Sequence, residues 1–275
     1  MAASRPKLAV FKFCCCDGCQ LQVLSLDDEL LELGELFDIA YFNEASSRRD
    51  PGPYDVALID GSIAVPEDVS RIAWVRAQSR VLITIGACAT AGGIQALRNW
   101  GDVEGWKRSV YPRPDQVAAL STSTPISEHV HVDIELWGCP IDKQQLLHVL
   151  KDVHAGVQPR LPAHSVCLEC KRRGHVCVLV AQGQPCMGPV TRTGCGAICP
   201  GMQRDCYSCF GPVEPGKTGP GLPPNTPSLA RHFHRELGLI PVDVVRRFRG
   251  INGYTAPFQK ESNVWERGDR PDDPR

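Results

Sequence analysis

Fourteen cysteines punctuate this chain of 275 residues, and twelve stand at spacings suited to metal ligation. Cys16 and Cys19 flank Asp17-Gly18. Cys88 lies in Gly86-Ala87-Cys88-Ala89-Thr90, and Cys139 in Trp137-Gly138-Cys139-Pro140. Eight more are crowded together: Cys167, Cys170, Cys177, Cys186, Cys195, Cys199, Cys206 and Cys209. Convergent thiolates bind Zn²⁺ or an iron–sulfur cluster. Four thiolates hold one cubane [4Fe–4S] cluster, so the crowded eight match the needs of two.

The elements around the first four explain why they would converge. Short apolar runs at Leu8–Phe13, Phe37–Phe42, Val56–Ile59, Val81–Ile85 and Val132–Leu136 read as strands. They alternate with candidate helices at Gly18–Leu33, Glu67–Gln78, near Gly92–Asn99 and at Asp142–His154. That alternation predicts an α/β fold with a flavodoxin-like parallel sheet. In such sheets, sites form beyond the carboxyl ends of the strands. Cys16 and Cys19 follow the first strand, Cys88 the fourth and Cys139 the fifth. All four thiols are thus expected at one sheet edge.

The neighbouring residues favour a cluster there. Gly18, Gly86 and Gly138 let backbone approach a bulky body. The amides opening the helix at Gly18 would favour its negative charge. Asp17 opposes that unless it faces a partner. Cys14 and Cys15 alternate along the strand and read as packed thiols, not ligands. A flavin-binding first loop would carry hydroxyls and glycines around a phosphate. This loop carries cysteines, so no flavin is expected.

The crowded cysteines read as a second, ferredoxin-like iron–sulfur module at 159–211, after the 1–158 domain. A plausible linker runs through Gln158-Pro159-Arg160-Leu161-Pro162. Cys199-Pro200 parallels two-cluster ferredoxins, where the cysteine before proline ligates the other cluster. That analogy groups Cys167, Cys170 and Cys177 with Cys199. Chain order groups them with Cys186. The sequence leaves both partitions open. Two zinc sites are the competing reading, but zinc ribbons pair one Cys-x-x-Cys with another, and Cys195-x3-Cys199-Pro200 fits that poorly. Lys171, Arg172, Arg173, Arg192 and Arg204 could raise cluster potentials or guide an acidic partner, although surface charge is the plainer account of each.

The rest of the chain is less informative. Asp102 to Thr124 reads as an irregular insertion whose Trp106 and Tyr111 form either a partner surface or a packed loop. Residues 212–275 read as a Gly/Pro-rich loop, a short helix at Pro227–Leu237 and an extended polar tail from Asn252. His232 and His234 read as surface residues. Net charge is −1, which gives no pointer to nucleic acid or anionic membrane. No apolar run is long enough for a membrane span. The N-terminus shows no secretory h-region and no twin-arginine leader, so a cytoplasmic location is expected. In that compartment fourteen cysteines are not explained as disulfides.

Cys16-Asp-Gly-Cys19-Gln, Gly86-Ala-Cys88-Ala-Thr and Gly138-Cys139-Pro resemble the proximal-cluster motifs of [NiFe]-hydrogenase small subunits. The 20-kDa subunit of respiratory complex I carries a similar pattern. Cys195-Gly-Ala-Ile-Cys199-Pro and Cys206-Tyr-Ser-Cys209-Phe-Gly resemble, more narrowly, cytoplasmic bidirectional hydrogenases. These include the sulfhydrogenase delta subunit and the gamma subunit of coenzyme F420-reducing hydrogenase. The resemblance spans roughly Leu8 to Gly211. It implies three [4Fe–4S] clusters, with neither nickel nor flavin in this chain and no turnover by it alone. It implies a large subunit carrying the nickel–iron site, and flavin/NAD(P)-binding and further iron–sulfur subunits as electron partners. A quinone-linked complex I-like subunit and a zinc-stapled interaction protein are the alternatives.

Overall fold

The computed structural model describes residues 5–213 and 224–269. The chain divides into two compact units, Met1–Arg160 and Leu161–Arg275.

In the first unit, elements follow one another as β1 (Lys7–Lys12), α1 (Gly18–Leu24), α2 (Asp28–Leu36), β2 (Asp38–Phe42), β3 (Tyr54–Asp60), α3 (Pro66–Gln78), β4 (Ser79–Ile85), α4 (Gly86–Ala91), α5 (Val103–Val110), β5 (Ile134–Leu136) and α6 (Lys143–His154). All strand pairs are parallel and their order is β2-β1-β3-β4-β5. This is the flavodoxin-like order. Ala57, Leu58, Ile59, Leu82, Ile83 and Ile85 are completely buried, as strands covered on both faces require.

The register aligns the strand ends. Lys12 pairs with Asp60, Asp60 with Ile85, and Ile85 with Leu136. One row of residues therefore crosses four strands, and every loop that carries a candidate ligand of the first unit departs just beyond it.

Three expectations for the first unit need correction. The single helix Gly18–Leu33 is two helices, broken at Ser25–Asp27. Asp27 has φ 55, and Lys143 Nζ donates to Ser25 O at 2.6 Å and pairs with Asp27 at 3.4 Å. Leu26 is buried at the break. The stretch from Asp102 to Thr124 is not wholly irregular: Asp102 caps α5 by accepting from Gly105 N at 2.9 Å. The piece near Gly92–Asn99 is a 3-10 helix, Ile94–Trp100.

The second unit is helical: α7 (Val166–Arg172), α8 (Val178–Gln182), α9 (Ile198–Gly201), α10 (Thr226–Arg235), α11 (Pro241–Phe248) and α12 (Ala256–Arg267). Val166, Val178, Met187 and Val190 form one core with Phe233, Phe248, Phe258 and Trp265. The polar tail from Asn252 is thus not extended. Thr255 and Pro257 open α12 and Gly268 closes it. Phe258, Glu261, Ser262 and Trp265 share its buried face, and Trp265 Nε1 donates to Glu261 at 2.9 Å. The final Arg270–Arg275 and most of the Gly/Pro-rich loop lie outside the described residues. His232 and His234 are half-buried rather than on the surface. His234 Nδ1 meets Leu239 O at 2.8 Å and its ring edge packs on Trp265. Among the described residues, no helix is long and apolar enough to cross a membrane.

Asp133 pins the short edge strand β5. Its carboxylate accepts from Leu82 N at 2.7 Å and from Arg76 at 2.5 Å. Burial alone would raise its pKa. The Leu82 amide and the Arg76 guanidinium outweigh that and hold it below the usual range. A depressed carboxylate stabilises the fold above its unfolded pKa, about 3.9, and the benefit goes as pH falls through the folded value. Asp133→Ala should cost about 1–3 kcal/mol at pH 7, as for hydrogen bonds to a charged group. Urea denaturation of both proteins should show that gap shrinking below about pH 4.

Candidate metal centres

The first centre grows out of the aligned strand ends. Cys16 and Cys19 bracket the start of α1, Cys88 sits in α4, and Cys139 follows β5. Ala87 N donates to Gly138 O at 2.7 Å, tying the Cys88 turn to the Cys139 loop. The four thiols feel one another. Charge on Cys88 and Cys139 raises the Cys19 pKa, Cys139 and Cys16 raise Cys88, and Cys16 raises Cys139. In all three, burial is the larger cause, and it pushes Cys88 up to about 12. Cys16 and Cys139 are exposed at the mouth, while Cys19 is buried.

Glycines make room for these sulfurs. A Cβ on Gly86, whose φ is +84, would collide with Cys19 Sγ. One on Gly93 would stand 2.7 Å from Cys88 Sγ. Gln95 holds this corner together: Nε2 donates to Cys14 O at 2.6 Å and to Ser62 Oγ at 3.0 Å, while Oε1 faces Cys88 Sγ at 3.7 Å.

Asp17 does face a partner. Burial would raise its pKa, but Lys12 Nζ at 2.6 Å and the Cys15 thiol at 3.2 Å lower it overall. Beside it, buried Asp60 accepts from Gln20 Nε2 at 3.4 Å, and burial raises its pKa to about 6. Cys15 belongs to this acidic group, and the Cys14 backbone pairs with Ser62. Sequence reasoning passed over Asp60, Gln20 and Gln95. Asp60 and Gln20 are contiguous only in space, and no spacing rule marks Gln95.

The second unit gathers the other eight cysteines. Charge on Cys186, Cys177 and Cys170 raises Cys167, which burial pushes to about 11. Cys177 also acts on Cys170 and Cys186. Cys195 feels Cys199, and Cys206 feels Cys186 and Cys209. Cys206 N donates to Cys186 Sγ at 3.3 Å, so the two sets touch there. A Cβ on Gly188 would meet Cys186 and Cys167 sulfurs at 3.4 and 3.6 Å. Arg192, expected as surface charge, is buried, and Lys171 favours the Cys167 thiolate.

Around a single tetrahedral zinc, thiolates bonded at 2.3 Å stand about 3.8 Å apart. Among the described residues, the one group of three potential ligand atoms lying within 4.8 Å of one another is Cys15, Asp17 and Asp60. The cysteine sets offer thiols alone, a donor set that fits zinc or an iron–sulfur cluster. Buried hydroxyls without a partner add to the fit: Thr193 Oγ1 and Ser208 Oγ, both between or beside ligand candidates.

Elsewhere in the first unit, Trp106 and Tyr111 are about half exposed and line a groove of about 490 Å³ with Ile94 and Leu97.

Residues 16–153 match the family described as NADH ubiquinone oxidoreductase, 20 Kd subunit. The chain belongs to this family. Its relatives include hydrogenase subunits. It is 39% identical to the sulfhydrogenase 2 subunit delta of Pyrococcus furiosus over 75% of this chain and 86% of that one. It is 29% identical to a subunit of the F420-non-reducing hydrogenase vhu from Methanococcus voltae, over 77% of this chain and 84% of that one. Among solved structures, it superposes on a chain of an NAD+-reducing [NiFe]-hydrogenase with a TM-score of 0.53 and 29% identity, covering 57% of this chain and 96% of that one. The expected relationship to hydrogenase small subunits is thereby established, together with the α/β fold.

Gly86→Ala should displace Cys19 Sγ. Iron and sulfide analysis should then find less of both than in the unsubstituted protein. Gly34→Ala, where a Cβ meets nothing within 4 Å, should keep both.

Proposed function

We propose that this chain is the electron-transfer subunit of a cytoplasmic [NiFe] hydrogenase and holds three [4Fe–4S] clusters. The supporting observation is the gathering of twelve thiols into sets, in a chain 39% identical to a sulfhydrogenase subunit. Cys16, Cys19, Cys88 and Cys139 hold the proximal cluster. Cys167, Cys170, Cys177 and Cys186 hold a second, because Cys167 feels these three thiols. Cys195, Cys199, Cys206 and Cys209 hold the third. The spatial grouping favours chain order over the ferredoxin-like exchange of Cys199.

The clusters supply one-electron carriage with no bond made or broken in this chain. The chain's own work is to bind, bury and tune. Electrons pass between a nickel–iron site on a separate large subunit and a flavin/NAD(P)-binding or ferredoxin-like subunit. The names of the relatives support hydrogen as the ultimate donor or product. Eight cysteines beyond residue 153 weigh against a quinone-linked complex I-like role, because the family match ends there.

Metal analysis of anaerobically purified protein tests the reading. About twelve iron with equal sulfide is expected, with nickel appearing only alongside a larger partner. Zinc without sulfide would sink it.

Paired variants test the partition. Cys167→Ser with Cys186→Ser should remove one cluster, and Cys186→Ser with Cys195→Ser should remove two. The reverse pattern would restore the ferredoxin-like exchange.

A further inference from the structure

We propose that the Ser208 hydroxyl donates a hydrogen bond to a sulfur of the cluster held by Cys195, Cys199, Cys206 and Cys209, and so raises its reduction potential. This rests on the ligand assignment above and extends it to a residue that is not a ligand.

Every polar group of Ser208 but one has its partner within the fold. The residue lies inside Cys206-Tyr207-Ser208-Cys209 and is only 3% exposed. Its amide donates to Cys206 Sγ at 3.4 Å. Its carbonyl accepts from Asn252 Nδ2 at 2.7 Å and from Gly211 N at 3.0 Å. Its hydroxyl has no partner among the described residues. A buried donor left unpaired is costly, so native folds seldom leave one. The hydroxyl is three bonds from an amide that already touches a ligand sulfur. The acceptor within reach is the sulfur-rich body those ligands enclose.

The loop is also held in place. Ser208 has φ 60, a left-handed conformation uncommon for serine. The structure around it imposes that conformation. Arg247 on α11 forms an ion pair with buried Asp205 and stacks over the Tyr207 ring at 5.0 Å. Asn252, just beyond α11, grips the Ser208 carbonyl. A hydrogen bond to cluster sulfur favours the reduced, more negative state and moves the potential up.

The test uses the full chain, purified anaerobically, with each cluster's midpoint potential followed by EPR-monitored titration. Ser208→Gly removes the hydroxyl and suits the left-handed backbone, so the fold and iron content should hold. Its expected effect is a lower potential for one cluster alone, the cluster that Cys209→Ser abolishes. Ser208→Asn keeps a donor in the same backbone conformation and should restore the potential at least in part. Unchanged potentials in Ser208→Gly with full iron would overturn the proposal, and would mean that the hydroxyl serves water instead. If Cys209→Ser retained all its iron, the ligand assignment itself would fail, which is a separate result. A Ser208→Gly protein that lost iron would also overturn the proposal, since the hydroxyl would then be structural.

Discussion

A buried thiol keeps its proton unless a positive body takes the proton's place. Burial is the first cause of every raised cysteine pKa in this chain, from Cys19 and Cys88 to Cys206. Neighbouring thiolates add to it, since each resists the ionisation of the next. Eight of the twelve candidate ligands have such a raised pKa, and within each set they resist becoming bare charges together. Under the proposed function, iron would resolve the conflict by binding the thiolates and releasing their protons. Cys16, Cys139 and Cys177 are exposed beside buried Cys19 and Cys186, so each of the first two sets has an open side.

The parallel sheet makes the first set possible. A row running Lys12, Asp60, Ile85, Leu136 ends four strands at one level. Loops from three of those strands supply the thiols. The fourth, β3, supplies Asp60 and then Gly61, where a Cβ would press on Cys14 backbone. A carboxylate behind four thiolates looks adverse. Its raised pKa shows that the site already disfavours its charge, and Gln20 offers it a neutral donor. Lys12 meanwhile offsets Asp17 at the same rim.

The parts legible in the sequence are those governed by short-range pattern. Val-Ala-Leu-Ile and Val-Leu-Ile-Thr-Ile are buried on both faces and read as strands directly. Their ends ran longer in the fold because Tyr54, Asp60 and Ser79 join the ladder through backbone bonds that side-chain polarity does not reveal. The helix break at Ser25–Asp27 was hidden because Leu26 continues an apolar rhythm through it, and the decisive contact comes from Lys143, over a hundred residues away. The sharing of the eight clustered cysteines was illegible for a related reason. Spacing fixes which thiols are neighbours in a loop, but not which loops meet.

Helix α12 shows how a polar sequence can still be core. Its buried face alternates apolar Phe258 and Trp265 with polar Glu261 and Ser262. Glu261 is buried because Trp265 needs an acceptor for its indole N–H. Thr226 hydrogen-bonds Glu261 as well, and two aromatic rings enter the core. The cysteine loops need that core. Turns rich in Gly and Pro supply little apolar surface of their own. Phe233, Phe248, Phe258 and Trp265 come from helices beyond the last cysteine and pack with Val166, Val178 and Val190 from between the cysteines. The segment after the ligands is thus as much a part of holding them as the loops that carry them.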